Sequence, residues 1–151
     1  MDINLAIQSV STTIQLLATL ITLISVILIY KTMKTHQKLN QRTLFNEVVK
    51  QERELRIKLL EYRNKINKIG IKKKEKEETK LDYDTLLFNY YEFLAICLHR
   101  RLINEIEAKL FFKESLISVK ELFESSLLFK EEYAKKEQYK GLQWLFKKWN
   151  I

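Results

Sequence analysis

The distribution of apolar and charged positions divides the chain into two parts. No charged residue occurs from Ile3 to Tyr30, whereas charged residues are dense from Lys31 onward. Residues 10–30 form an uninterrupted run of 21 residues without charge, Gly or Pro. A helix needs about 20 such residues to cross roughly 30 Å of hydrocarbon, and a core helix rarely stays uncharged for as long. The pattern therefore predicts a short N-terminal tail and a transmembrane anchor over residues 1–30.

Basic residues lie on only one side of this run. Four of them follow it at helical spacing: Lys31, Lys34, Lys38 and Arg42. A secretory signal has its basic region first and a small-residue cleavage site afterwards, so we expect no cleavage. By the positive-inside rule, the four residues place the following region in the cytoplasm and the N-terminus outside. The expected location is the plasma (inner) membrane with a single pass, with the four side chains against anionic headgroups of the lipid bilayer.

Polar side chains inside the run share one helix face. They are spaced four, three, four and three residues apart: Gln8, Thr12, Gln15, Thr19 and Thr22. In lipid, amide and hydroxyl groups can bond across a helix–helix contact, which favours self-association or a membrane-protein partner. The alternative is that the threonines bond carbonyl groups of their own helix.

Residues 31–70 predict a basic amphipathic stalk helix. Apolar residues recur there in steps of three and four, with Glu52 at the one polar position of the series: Phe45, Val48, Leu55, Leu59, Tyr62, Ile66 and Ile69. Such heptad character is typical of a coiled coil or of a helix packed in a bundle. The stripe either packs on the protein's own later helices or pairs with the stalk of another subunit. Gly70 is placed to end the helix.

The rest of the chain predicts a charged loop over 71–83 and a helical head over 84–151. Three helices are expected to begin at Asp84, Asn104 and Ser118, with each residue acting as an N-cap. The aromatic segment YKGLQWLFKKWNI predicts one more helix. Pro is absent and Gly occurs only twice, so little interrupts helix formation. The predicted fold is all-α, with a single N-terminal transmembrane helix continuing into the stalk and a small bundle of about four helices after it.

The basic excess is confined to the stalk and the predicted loop. Residues 31–80 contain 16 Lys or Arg against 7 Asp or Glu, whereas residues 81–151 contain 11 of each class. Close to a membrane, such charge favours anionic headgroups. Binding of nucleic acid is less favoured, because no Gly-rich loop, zinc ligand set or aromatic strand motif accompanies the charge.

The residue types that commonly carry catalysis form no recognisable motif here. Cys97 is the only cysteine, and it points about 200° away from His99 on a helix, so the two cannot form a nucleophile–base pair. The other histidine, His36, lies in the stalk. No Walker loop, GxSxG or HExxH motif occurs. We therefore expect no enzyme activity, no catalytic residue, no metal site and no cofactor.

Glu92 is the most conspicuous carboxylate of the predicted head. It lies among apolar residues in NYYEFLAI, with Asn89 one turn earlier. A buried carboxylate requires a partner, and we expect Arg100, Arg101 or a basic stalk residue to provide it. An ion pair that fixes helix register is favoured over catalysis.

Two segments carry a resemblance to a known family. LLFNYYEFLAICLHRRLINEIEAKLFF has an Asn shortly before an aromatic-Glu-aromatic core and an RRLIN-E step between helices, and YKGLQWLFKKW supplies an aromatic C-terminal helix. These features resemble an uncharacterised bacterial family, a domain of unknown function. Its members have an N-terminal membrane helix, a helical stalk and a small all-helical cytoplasmic domain. The resemblance covers residues 5–150 and implies this architecture but no activity.

These observations favour a non-enzymatic, membrane-anchored interaction or scaffold protein on the cytoplasmic face, which self-associates or binds a membrane-protein partner. An anchor confines the head to a plane and so raises its effective concentration for partners there. Two alternatives remain. The protein could be a single-pass membrane effector of a bacterial defence or toxin-like system that multimerises in the bilayer through its polar face. It could also hold nucleic acid at the membrane through its basic stalk.

Overall fold

The computed structural model describes the backbone of residues 3–129 and 135–151, and the side chains of residues 15–129 and 137–151. This part of the chain forms α-helices and two short 3-10 helices, and it contains no strand. The α-helices are α1 (Ile3–Ile66), α2 (Lys73–His99), α3 (Glu105–Ser125) and α4 (Lys140–Trp149). The 3-10 helices are Leu127–Phe129 and Lys135–Tyr139. The prediction of an all-α fold, with a long apolar N-terminal helix followed by a small helical bundle, is confirmed.

The chain divides into two compact units, Met1–Asn40 and Gln41–Ile151. In the first unit, every described side chain from Gln15 to Asn40 is exposed. This part of α1 is long and apolar enough to cross a membrane, since an 18-residue window reaches a mean hydropathy of 2.0 and none of that window is buried. The boundary between the units falls inside the predicted stalk, after Asn40.

The second unit is built around α2, which packs against α3 and α4. Phe88 of α2 lies at the centre of an aromatic cluster, where its ring centroid is 5.1 Å from that of Phe123 and 5.8 Å from those of Phe129 and Tyr139. Each such buried side chain contributes roughly 1.5–3 kcal/mol through the hydrophobic effect. The largest apolar side chains that are fully buried come from all four helices: Val48, Phe88, Leu94, Phe112, Leu116, Leu142 and Leu145.

The apolar stripe of the stalk packs on the protein's own head. The ring of Phe45 meets Phe111 and Phe112 edge to face, at centroid distances of 6.2 and 6.4 Å. The hydroxyl of Tyr90 donates to the backbone carbonyl of Val48 at 2.9 Å. Of the two alternatives for the stripe, intramolecular packing therefore holds for this part of α1. Two further positions of the stripe join the same core: Leu55 and Leu59.

The loop predicted over 71–83 is instead helical from Lys73 onward, so α2 does not begin at Asp84. The segment contains no Gly or Pro, and its charged residues form pairs at i,i+4 spacing, as Lys74 does with Glu78. Such pairs stabilise a solvent-exposed helix. A solvent-exposed helix and a loop can both be rich in charged residues, so composition alone does not separate them. The actual connection between α1 and α2 contains Gly70, whose φ of 85° is in the left-handed region.

The head contains three α-helices rather than four, because α3 is continuous through Ser118. The start of α3 agrees with the prediction. Asn104 is its N-cap, and the side-chain oxygen accepts the backbone N–H groups of Ile106 and Glu107 at 2.9 and 3.2 Å. With the packed part of α1, these three helices make a four-helix bundle.

Asp84 is buried in the middle of α2 instead of capping its start, and its side chain fixes the chain that follows α3. Only 1% of Asp84 is exposed. Its Oδ2 accepts the hydroxyl of Ser126, whose Oγ in turn accepts the N–H of Leu128 at 3.3 Å. Its Oδ1 has no hydrogen-bond partner among the described residues. Burial raises the pKa of the Asp84 carboxyl, and the hydrogen bond from Ser126 only partly opposes this.

We predict that Asp84→Asn stabilises the head at neutral pH. Because the folded state holds the Asp84 proton more tightly than the unfolded state, the free energy of unfolding falls as pH rises from the ordinary Asp range through the raised pKa. Asn is neutral throughout and keeps an oxygen that can accept the Ser126 hydroxyl. The gain should therefore be present at about pH 7 and absent below about pH 4.

Thermal unfolding of the full chain in detergent measures this difference at both pH values, with tryptophan fluorescence as the signal, since both tryptophans lie in α4. Asp82→Asn, at an exposed position of the same helix, is the control and should change little at either pH. Equal destabilisation by Asp84→Asn at both pH values would contradict the prediction.

Candidate functional site

Glu92 of α2 caps the start of α4. Its two carboxylate oxygens accept the backbone N–H groups of Gly141 and Leu142, at 2.9 and 2.6 Å. These are donors that a helix N-terminus leaves without partners, and the same terminus carries partial positive charge. α4 has no cap of its own, because its N-cap residue Tyr139 makes no side-chain capping bond. We refer to this arrangement as the Glu92 cap.

The Glu92 cap corrects the partner that the sequence predicts for this carboxylate. The partners are backbone groups of α4, not Arg100, Arg101 or a basic side chain of the stalk. Asn89, one turn earlier, acts on the same segment, since its Oδ1 accepts the hydroxyl of Tyr139 at 3.2 Å. Both polar residues that the sequence singles out therefore position the chain as it enters α4.

Gly141 lies at the point where α4 comes closest to Glu92. A Cβ atom at this position would be 2.7 Å from Glu92 Oε1 and 3.0 Å from its Cδ. Alanine could fit only if the carboxylate moved, which would weaken its bonds to the helix start. This close approach explains why one of only two glycines in the chain lies in the aromatic C-terminal helix.

A second network of polar side chains links α1, α2 and α3. Glu52, the polar residue in the stalk stripe, is only 3% exposed and forms an ion pair with Arg56 one turn later. Its hydrogen bond with Arg56 raises the pKa of that guanidinium. Arg56 also reaches the Ser115 hydroxyl of α3 at 3.4 Å, and Ser115 is bonded to Tyr91 of α2. Burial raises the pKa of Tyr91 to about 12, so the phenol of Tyr91 keeps its proton at neutral pH.

An open cleft lies beside Trp144 and His99. Its volume is about 630 Å³, and an adjoining hollow of about 360 Å³ shares these two residues with it. The His99 ring meets Trp144 edge to face at 4.9 Å, and Lys148 Nζ lies 4.9 Å from the centroid of the Trp144 ring. Lys148 also pairs with Glu105 at 2.6 Å, and this hydrogen bond lowers the pKa of Glu105.

The turn between α2 and α3 adds two exposed arginines to this cleft. Arg100 lines the smaller hollow and Arg101 the larger one. Arg101 has a φ of 56°, and its carbonyl accepts the side-chain amide of Gln41 at 3.0 Å, which ties the turn to α1. Guanidinium groups beside a partly exposed aromatic ring such as that of Trp144 can receive an anionic or aromatic group of a partner.

The cysteine and the potential metal ligands of the second unit show no arrangement typical of a reactive centre in the described residues. Cys97 is buried, and burial raises the pKa of its thiol, which keeps it in the unreactive protonated form. In the part of the chain that the structure describes, no group of three or more His, Cys, Asp or Glu side chains could hold a metal ion.

The predicted membrane residues lie on α1. The side chains of Gln8 and Thr12 lie outside the described residues, whereas Gln15, Thr19 and Thr22 are exposed. The hydroxyls of Thr19 and Thr22 donate to backbone carbonyls one turn earlier in their own helix, each at 2.8 Å. Four basic side chains are likewise exposed: Lys31, Lys34, Lys38 and Arg42.

Comparisons with known proteins identify a family but no activity. The family model of a domain of unknown function, DUF4760, matches residues 9–149. The chain belongs to the DUF4760 family. Comparisons with curated proteins and with solved structures find no significant match. The resemblance to an uncharacterised family is thus confirmed, and the matched range includes the apolar segment 10–30 as well as the head.

Sequence reasoning identifies one half of the Glu92 cap in this DUF4760 chain and misses the other. Glu92 and Asn89 are recognisable as polar residues on an apolar helix, but the sequence pattern does not connect them with Gly141 and Tyr139. The available signal was the glycine itself, since a Gly within a helix costs roughly 0.5–1 kcal/mol relative to Ala and therefore indicates close approach of another group.

We predict that the effect of Gly141→Ala changes sign with the residue at position 92. In the native DUF4760 chain it should destabilise the head by about 1–2 kcal/mol, because Glu92 must release the helix start as in the loss of an N-cap. Glu92→Ala should cost a similar amount for the same reason. In the Glu92→Ala background, Gly141→Ala should instead stabilise by about 0.5–1 kcal/mol, the ordinary helix preference of alanine.

A double-mutant cycle on the full chain, followed by chemical denaturation in detergent, measures the coupling between the two positions. Glu137→Ala is the matched control, because Glu137 forms an exposed ion pair with Lys140 at the same helix start. Such a pair is worth about 0–1 kcal/mol, and its loss should leave the effect of Gly141→Ala unchanged. Additive effects of the substitutions at 92 and 141 would show that the contact has no energetic importance.

Proposed function

We propose that this DUF4760 protein is a non-enzymatic interaction protein, anchored in a membrane by residues 10–30, with its helical head on the cytoplasmic face. The observation that carries the proposal is that every apolar side chain between Gln15 and Tyr30 is exposed. In hydrocarbon this run is stable, because a helix satisfies its own backbone hydrogen bonds. In water, each apolar side chain would forgo about 25 cal/mol for every Å² left exposed.

The use of the polar residues in the second unit supports a role without catalysis. Cys97 is buried as a thiol, and three carboxylates with reduced exposure each accept a hydrogen bond or form an ion pair within the fold. The exposed cleft around Trp144 is basic and aromatic, a composition that is common where proteins bind partners. The carboxylates in question are Glu52, Asp84 and Glu92.

The basic residues after the span support a cytoplasmic orientation and a contact with anionic headgroups. All four are exposed in α1 and none of the described ion pairs includes them. A basic residue close to an anionic surface contributes about 1 kcal/mol. Nucleic acid offers similar charge, but the position of these residues directly after the span favours lipid.

The alternative of a multimerising effector receives less support from the polar face. Thr19 and Thr22 both bond carbonyls of their own helix, which is the ordinary use of threonine in such helices. The amide of Gln15 is the stronger candidate for a bond to another helix.

Alkaline extraction of membranes from cells that express the full chain tests the anchor. The native chain should stay in the membrane pellet. The triple variant Leu20→Lys, Ile24→Lys and Ile27→Lys should be released, because each lysine at the centre of a span costs about 2.5–3.5 kcal/mol. Ile57→Lys, at an exposed apolar position of the second unit, is the control and should remain in the pellet. Release of the native chain, or retention of the triple variant, would overturn the proposal.

We predict that changing Lys31, Lys34, Lys38 and Arg42 to Gln inverts the orientation of a measurable fraction of molecules. The charges that hold this end on the cytoplasmic side are then absent, a loss of about 1 kcal/mol per residue. Protease digestion of intact spheroplasts, with detection of the head, measures the inverted fraction.

The matched control removes the same number of charges further along the chain, at Lys72, Lys73, Lys74 and Lys76. It should leave the orientation unchanged, because the bias acts through residues close to the span. If both variants behave alike, total charge rather than position is responsible. If only the control loses RNA that copurifies with the native chain, the nucleic-acid alternative is favoured.

A further inference from the structure

The outer face of α3 carries apolar side chains that the described part of the chain does not cover. Leu110 is 84% exposed and Ile106 is 74% exposed, and Ile117 lies on the same face. The opposite face of this helix is fully used, since residues such as Phe112 and Leu116 lie in the core. Single exposed apolar residues are ordinary, but a row of them along one helix face indicates a contact surface.

Charged residues border this row in an ordered way. With about 100° per residue, three glutamates lie about 20–60° to one side of Leu110 and two lysines about 60–100° to the other side. The ion pairs in the described part of the chain use none of Glu107, Glu114, Lys109 and Lys113. We define the α3 outer face by its apolar row, its acidic edge and its basic edge: Ile106, Leu110 and Ile117; Glu107, Glu114 and Glu121; Lys109 and Lys113. Lys120 is left out because its Nζ donates to the Ile151 carbonyl at 2.7 Å.

We propose that the α3 outer face binds a second copy of this chain, with the two α3 helices parallel and related by a two-fold axis that runs along them. This symmetry places the basic edge of each copy against the acidic edge of the other, on both flanks of the apolar row. Lys109 and Lys113 then lie near Glu107 and Glu114 of the other copy. Flanking charges of opposite sign select the partner and the direction of paired helices in the same way.

The charge pattern excludes the other simple ways to cover this face. An antiparallel pair would bring like edges together, acidic against acidic and basic against basic. An anionic membrane surface would attract the lysines but repel the three glutamates, so the two edges together give it no net attraction. The contact should centre on Ile106 and Leu110, because these two residues are far more exposed than Ile117.

The inference rests on the proposed function, because it names the partner of the proposed interaction protein as a second copy held in the same membrane. Anchoring both copies in one plane raises the effective concentration of one head for the other. A contact of a few apolar residues per copy, too small for a stable dimer in dilute solution, is then sufficient.

Disulfide cross-linking of the full chain in membranes tests the contact. In a Cys97→Ala background, Leu110→Cys and Ile106→Cys should each form a disulfide-linked dimer on mild oxidation, because each faces its own equivalent near the axis. Ile57→Cys, at a 62% exposed apolar position of α1, is the control and should give at least about tenfold less dimer. An antiparallel pair centred on Leu110 would link position 110 but not position 106. Dimer yields no higher than that of the control would overturn the proposal.

Charge reversal separates self-association from the other occupants. Lys109→Glu with Lys113→Glu should reduce cross-linking through Leu110→Cys at least about tenfold, and so should Glu107→Lys with Glu114→Lys, since each variant carries two edges of one sign. Coexpression of the two variants should restore cross-linking between them. If Glu107→Lys with Glu114→Lys binds membranes more strongly and coexpression does not restore cross-linking, the face contacts a lipid surface. If none of these substitutions changes cross-linking, the copies meet through another interface. Either result overturns the proposal.

Alkaline extraction of the same samples shows whether a negative result concerns the α3 contact or the membrane anchor. A chain that stays in the pellet but forms no dimer contradicts the α3 contact and leaves the anchor intact. A chain that is released contradicts the anchor itself. Unfolding temperatures of the variants should match that of the native chain, because all four reversed side chains are exposed.

Discussion

Gly141 and Leu142 at the start of α4 carry backbone N–H groups without partners in their own helix, and Glu92 accepts both from 49 and 50 residues earlier in the chain. α4 has only 10 residues, and an isolated helix of that length is marginal in water. Its stability therefore depends on contacts with the head. Because α4 supplies Leu142, Leu145, Phe146 and Trp149 to the core, the place where α4 begins determines how that core is filled.

Buried carboxylates have a similar role elsewhere in the second unit. Glu52 holds Arg56 where it can reach Ser115 of α3, and Asp84 holds Ser126 just after α3 ends. A buried charge is costly unless hydrogen bonds compensate it, so each of these carboxylates favours the arrangement that supplies its partners. The apolar core provides most of the stabilising free energy, whereas these three acids specify which helix faces meet. The hydrogen bonds and the ion pair of these carboxylates therefore serve the fold itself.

The parts of the fold that could be predicted from sequence depend on local patterns. Asn104 is recognisable as an N-cap because its partners are two and three residues away, and residues 10–30 are recognisable by length and lack of charge. The start of α2 at Lys73 could not be separated from a loop, because a solvated helix and a loop share the same charged composition. The partner of Glu92 was equally inaccessible. Proximity between residues so far apart in the chain follows from the packing of α4 on α2, which no local pattern encodes.

Exposed apolar side chains occur in both units, and the charges around them indicate different surroundings. Between Gln15 and Val26 the exposed apolar residues have no charged residue within one helical turn, which suits hydrocarbon and nothing more polar. On α3, Ile106 and Leu110 are exposed to a similar or greater degree, yet lysines and glutamates lie directly beside them. Hydrocarbon could not solvate those charges, so this face requires an aqueous contact in which each charge meets its opposite. The same physical signal, uncovered apolar surface, therefore favours lipid in one unit and a protein partner in the other.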